Sequence, residues 1–157
     1  MARNDDIDPS ASVPKADDLR MQMIEQQMAR MEQERKLREA EEAKLANFAE
    51  DFMKNEVSER ERTMIRRLVS NAVKDGKFEA LVYSFPSELC SDGGRAINNG
   101  DPDWPLTLRG KAKELFDRYQ TIAKPSGYRL KAMILNFPGG MPGDVGFFLN
   151  WAPSRPE

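Results

Sequence analysis

The sequence predicts an α+β protein in which a long N-terminal helical arm precedes a small domain, a three-stranded sheet packed by two helices. Three observations lead there. All ten glycines lie at or beyond Gly76, as do eleven of the thirteen aromatics. Apolar residues recur at spacings of three and four before that point, and alternate with period two in the segments near the C-terminus. Charge divides as well. Residues 1–57 hold nine Lys/Arg against fourteen Asp/Glu, net −5, and residues 58–157 hold fifteen against twelve, net +3, within a chain of net charge −2. A glycine-free stretch rich in Glu, Gln, Lys, Arg, Met and Ala suits a long helix, because those side chains lose little rotamer freedom there. Glycine and aromatic punctuation suits turns and strands.

Residues 1–16 carry Pro9, Pro14, three Asp and little to bury, and are expected to be a disordered tail. The arm is placed at 17–57. Met21, Ile24, Met28 and Met31 form a two-heptad apolar seam. Continuing the register puts Arg35, Arg38 and Glu42 on it before Leu45, Ala49 and Phe52 restore it, whereas a dimeric coiled coil wants three or four unbroken heptads. Methionine's flexible thioether favours adaptable partner surfaces, so the seam is a candidate site for a partner helix or another copy of the chain. The alternative is a solvated helix lying on its own domain.

The compact domain is placed at 58–157. Ser58 and Glu61 have the capping-box spacing, which predicts a break near 55–58. Met64, Ile65, Leu68, Val69 and Ala72 give the helix 59–75 one apolar stripe, and Asp75-Gly76 ends it. A strand is expected at 78–85 and a helix at 108–123, capped by Thr107 with Leu108, Ala112, Leu115, Phe116, Tyr119 and Ile122 inward. Strands at 128–137 and 144–152 are joined as a hairpin across PGGMPG. The first strand, the helix and the second strand form a βαβ-like crossover if those two strands are neighbours.

The chain has no histidine and one cysteine. This excludes Ser-His-Asp and Cys-His catalysis, His-liganded zinc and an imidazole switch within the chain. A lone cysteine suits a reducing compartment, and with no apolar run of transmembrane length the expected location is the cytoplasm. In the long connection 86–106, Ser91, Asp92, Gly93, Gly94 and Arg95 have the ingredients of an anion cradle, with flexible amides beside a guanidinium. They match neither the Walker pattern nor a dinucleotide fingerprint, and the competing reading is an Asp-Gly turn. Cys90 lacks a base and reads as a small buried hydrophobe. Arg60, Arg62, Arg66 and Arg67 cluster on helix 59–75 as a candidate nucleic-acid surface, interleaved with Glu59 and Glu61 as in a solvated face.

The function expected is therefore a non-enzymatic interaction or assembly protein working through the arm, with no cofactor, no metal and no membrane. The alternative is a regulatory or nucleic-acid-associated protein using helix 59–75. Third comes an anionic-ligand-binding or enzymatic domain centred on loop 90–95.

Overall fold

The computed structural model describes residues 13–153, so most of the expected tail lies outside the described residues. The chain divides into two compact units between Ala46 and Asn47.

Helix α1 spans Ala16–Lys54 without a glycine or proline. Asp17 and Asp18 open it and Lys54 closes it, each complementing the helix dipole. Arg20 pairs with Asp17, Arg35 with both Glu32 and Glu39, and Lys54 with Glu50. These exposed pairs lie at the three- and four-residue spacings that bring side chains together on one helix face. Every described residue up to Phe48 is exposed.

The expected break is present. Ser58 caps α2, Glu59–Lys74: its hydroxyl accepts from the Glu61 amide, and the Glu61 carboxylate accepts from the Ser58 amide. The domain boundary, however, moves upstream from Ser58 to Asn47. The physical reason is burial, since Phe52 is 0 % exposed in the core and Val57 is buried beside it in sequence. The Val57 amide also donates to Glu114 Oε1 at 2.8 Å. The last turns of α1 thus belong to the compact unit.

The sheet consists of β1, Glu79–Pro86; β2, Arg129–Ile134; and β3, Asp144–Asn150, in the order β1-β3-β2. The β2–β3 hairpin forms as expected, with Ile134 opposite Val145. The first and second strands are not neighbours. They run in the same direction, but β3 lies between them and pairs antiparallel with both. As the central strand, β3 contributes the fully buried Val145 and Phe147. A bulge leaves Val82 as an extra residue between the pairs Leu81–Phe148 and Tyr83–Phe147. The bulge resets the alternation, so that Ala80, Val82, Tyr83 and Phe85 all contribute to the core.

The connection 86–106 is more ordered than the sequence suggests. It folds as a 3₁₀ turn at Ser87–Leu89, the single-turn α3 at Arg95–Asn98 and a second 3₁₀ turn at Trp104–Thr107. Cys90, Ala96 and Ile97 are buried. The Ser87 amide donates to Gly143 O and its hydroxyl to Pro142 O, tying this connection to the hairpin loop. The helix expected at 108–123 is shorter and later: α4 spans Gly110–Arg118 and continues as a π turn at Tyr119–Ala123. Thr107 is not its cap, because its hydroxyl donates to Trp104 O at 2.7 Å.

Candidate functional site

The arm presents its seam without cover. Met21, Ile24, Met28 and Met31 are 49–63 % exposed along one face of α1. A shallow depression at Met28 and Met31 is bordered by Glu32, Glu34, Arg35 and Arg38. Arg35 sits where the apolar register fails, and it is held in place by its own helix. Its Nη1 donates to Glu39 Oε1 at 2.6 Å and its Nη2 to Glu32 Oε1 at 2.5 Å. Those contacts, with Glu32 leading, raise an already high guanidinium pKa. The seam is therefore a short apolar strip closed at one end by a fixed charge.

The residues Ser91–Arg95 are brought together, but the amides of Ser91, Gly93 and Gly94 already donate to Thr107 O, Cys90 O and Asp92 Oδ1. Asp92 Oδ1 accepts from the Gly94 amide at 2.9 Å and Oδ2 from the Ala96 amide at 2.8 Å. The chain's own carboxylate thus takes up the Gly94 and Ala96 amides, which favours the competing reading of an Asp-Gly turn. Gly94 has φ +86, and a Cβ there would press on Ser87 Cβ at 2.9 Å. Its glycine is required by backbone shape and packing, which accounts for the motif without a ligand. Cys90 is buried, and burial first, then the charge of Asp92, pushes its thiol up to about 11. A neutral buried thiol is a poor nucleophile.

The arginines of α2 divide. Arg62 and Arg66 both pair with Glu59, at 2.7 and 3.1 Å, and Arg62 also donates to Val57 O. Arg60 and Arg67 form no ion pair among the described residues. Two cations without a carboxylate partner on one helix give little of the counterion release that nucleic-acid affinity draws on.

Sequence reasoning missed Lys111. It is not among the residues singled out as inward on helix 108–123, yet it is 2 % exposed. Its Nζ donates to Glu61 Oε1 at 2.5 Å and Asp51 Oδ2 at 2.6 Å. Burial alone would lower the Lys111 pKa, but the two carboxylates overcome it and raise it. Burial likewise acts to raise Glu61, and Lys111 with the Ser58 amide and hydroxyl overcomes it, leaving Glu61 lowered. Asp51 is lowered by Asn55 first and then Lys111. Tyr83 donates to Glu61 Oε2 at 3.4 Å, and burial followed by the Glu61 charge raises its pKa. One ammonium thus joins α1, α2 and α4. The signal available beforehand was the capping box itself, because Glu61 Oε1, which accepts from the Ser58 amide, keeps a further lone pair for a cation.

Among the described residues no group of His, Cys, Asp or Glu is placed to hold a metal ion, and no helix is long and apolar enough to cross a membrane. Trp104 packs edge-to-face on Phe116 at 5.5 Å, and Trp151 on Tyr128 at 6.4 Å, so both serve intramolecular packing. Comparison with protein-family models, with curated proteins and with solved structures gave no match, so the site is read from this chain's own geometry.

Proposed function

We propose that the protein is a non-enzymatic interaction or assembly protein whose helical arm receives a basic amphipathic helix of a partner. One observation carries this reading: four consecutive seam positions, Met21, Ile24, Met28 and Met31, lie exposed on one face of a 39-residue helix. Leaving such a strip in water is unfavourable, and covering it with another apolar strip supplies the driving force for docking. The flanks choose the partner. With Met21 and Met28 at a positions, Glu25 and Glu32 fall at e, and Gln27 and Glu34 at g. A helix with Lys or Arg at its own flanks complements them.

A second copy fits less well. Parallel self-pairing sets Arg20 against Glu25 favourably, but it also sets Glu34 of one copy against Glu39 of the other, and beyond Met31 the register brings Arg35 against Arg35. Two apolar heptads are too few to outweigh those contacts. The single buried cysteine supports a cytoplasmic setting for this docking.

The test uses the full chain and two synthetic helices with identical leucine seams, one flanked by Lys and one by Glu. The Lys-flanked peptide should bind, weaken as salt rises, and lose binding to Met28→Glu/Met31→Glu protein. Equal binding of both peptides, or binding unaffected by the double substitution, would overturn the reading. Light scattering of the full chain should give a monomer mass; a dimer dissociated by the same substitutions would assign the seam to self-association instead.

A further inference from the structure

Between α2 and α4, over the sheet, lies an open groove of about 300 Å³. Its walls include Ile65 of α2 with Leu115 and Ile122 beyond, and Leu130, Phe147 and Leu149 contribute from the strands. That volume is at the lower end of small-molecule sites, which are mostly apolar with a few orienting polar groups. The π turn after α4 contributes Tyr119, Ile122 and Ala123 to the groove's lining. A regular helix over 108–123 would turn Ile122 to the core, but the π turn leaves it 66 % exposed. Such turns recur at functional positions.

The lining narrows the ligand. Tyr119 is the one neutral polar side chain on it, and its hydroxyl already donates to Tyr128 O at 3.2 Å. Nothing within the groove is left to orient a polar body. The charged lining residues are Arg66 and Arg118. Arg118 contacts Glu114 through Nε at 3.3 Å, and Arg66 uses Nη2 for Glu59 and Thr63. Both Nη groups of Arg118, and Nε and Nη1 of Arg66, make no hydrogen bond among the described residues. Each guanidinium carries five donors, so each keeps capacity for an acid without surrendering its internal partner.

We propose that this groove binds a free medium-chain fatty carboxylate, with the alkyl chain along Leu130, Phe147 and Leu149 and the head group on Arg66 and Arg118. A cationic amphiphile would meet like charge there, and a neutral one would leave the guanidinium donors unused.

Titration calorimetry of the full chain with hexanoate, octanoate and decanoate, each below its micelle concentration, tests this. The dissociation constant should fall about 4-fold per added methylene until the groove is full. Arg66→Gln/Arg118→Gln should weaken decanoate about tenfold and leave decanol unchanged. Ile122→Glu, at an exposed position that folding tolerates, should abolish decanoate binding. An affinity independent of chain length, decanol binding as tightly as decanoate, or decanoate binding retained by Ile122→Glu would each overturn the proposal. So would retention on phosphatidylglycerol vesicles without binding of monomeric decanoate, which would assign the groove to membrane lipid.

Discussion

Replacing Lys111 by Met should destabilise the unit 47–157 by about 2 kcal/mol at neutral pH. Methionine keeps the length and apolar stem of lysine, so the change removes the charge and its donors with little change in packing. Lys111 is 2 % exposed and donates at 2.5 Å to Glu61 and 2.6 Å to Asp51. A hydrogen bond between charged groups contributes roughly 1.5–3 kcal/mol. Asp51 is half-exposed and already accepts from Asn55, so water replaces most of what it loses. Glu61 is only a quarter exposed and is held in place by the Ser58 amide, so it retains an under-compensated charge. Relief from desolvating the ammonium offsets part of that loss, which leaves the value near 2 rather than the 3–5 kcal/mol of a fully buried broken pair, as an order of magnitude. For a unit of this size the melting temperature should fall by about 8 °C. Guanidinium unfolding followed by tryptophan fluorescence measures it cleanly, because Trp104 and Trp151 both lie in this unit and none lies in the arm. The midpoint should fall at constant slope. The fold lowers the pKa of Asp51 and Glu61, so their contribution is complete above the unfolded carboxylate range and fades as pH drops through the folded values. The difference between wild type and variant should therefore shrink below about pH 4. Because Lys111 is raised, the difference should persist on the alkaline side until pH passes its unfolded value. A variant within about 0.5 kcal/mol of wild type at pH 7, or a difference that acid leaves unchanged, would refute the assignment of Lys111 as the central tie.

Further outcomes follow from the same geometry. A fragment of residues 47–157 should show a cooperative transition while 58–157 should not, and Phe52→Ala in the full chain should cost about 3–5 kcal/mol, measured by the same denaturation. Gly110→Ala should cost about 3 kcal/mol or more, since Gly110 has φ +52 and a Cβ there would collide with the Phe52 carbonyl oxygen. Asp92→Ala should cost about 1–2 kcal/mol by leaving the Gly94 and Ala96 amides without their acceptor, read as earlier amide exchange over Arg95–Asn98. At pH 8 an alkylating reagent should modify Cys90 only as fast as the unit opens, so the rate should rise with denaturant.

What the sequence disclosed was what depends on near neighbours. The capping box needs only Ser58 and Glu61 three residues apart, and the β2–β3 hairpin needs only the Gly/Pro loop between two alternating runs. The alternation in β2 survives in the structure, with Leu130, Ala132 and Ile134 against exposed Arg129, Lys131 and Met133. Features that depend on distant partners stayed hidden. No local signal tells β3 to enter between β1 and β2, because that choice is made by Phe147 and Val145 meeting Phe85, Cys90 and Phe52 in one core. Nor does periodicity distinguish Phe52 on a partner-binding seam from Phe52 under Phe85, at 5.2 Å between rings. Lys111 went unnoticed for the same reason. Its neighbours in sequence are cations, whereas the groups that draw it inward lie 50 and 60 positions away.

The direction of the pKa displacements bears on the choice between binding and catalysis. A general acid or base works best when its pKa lies near the working pH, and active sites use burial and like charges to bring it there. Here each displaced group is driven the other way. Asp51, Glu59 and Glu61 are lowered, and Arg35, Arg62, Tyr83, Cys90 and Lys111 are raised. In each case the form already dominant at neutral pH becomes more dominant. That is the pattern of ion pairs and buried groups locked for structure: Lys111 stays an ammonium, Cys90 stays a thiol and the carboxylates stay ionised. What the fold leaves unsatisfied is of another kind, the methionine strip of the arm and the apolar groove beside Ile122, with two guanidinium edges at the groove. Unsatisfied apolar surface is relieved by covering it. The exposed seam carries the proposed binding reading, and the fixed titratable groups accord with it.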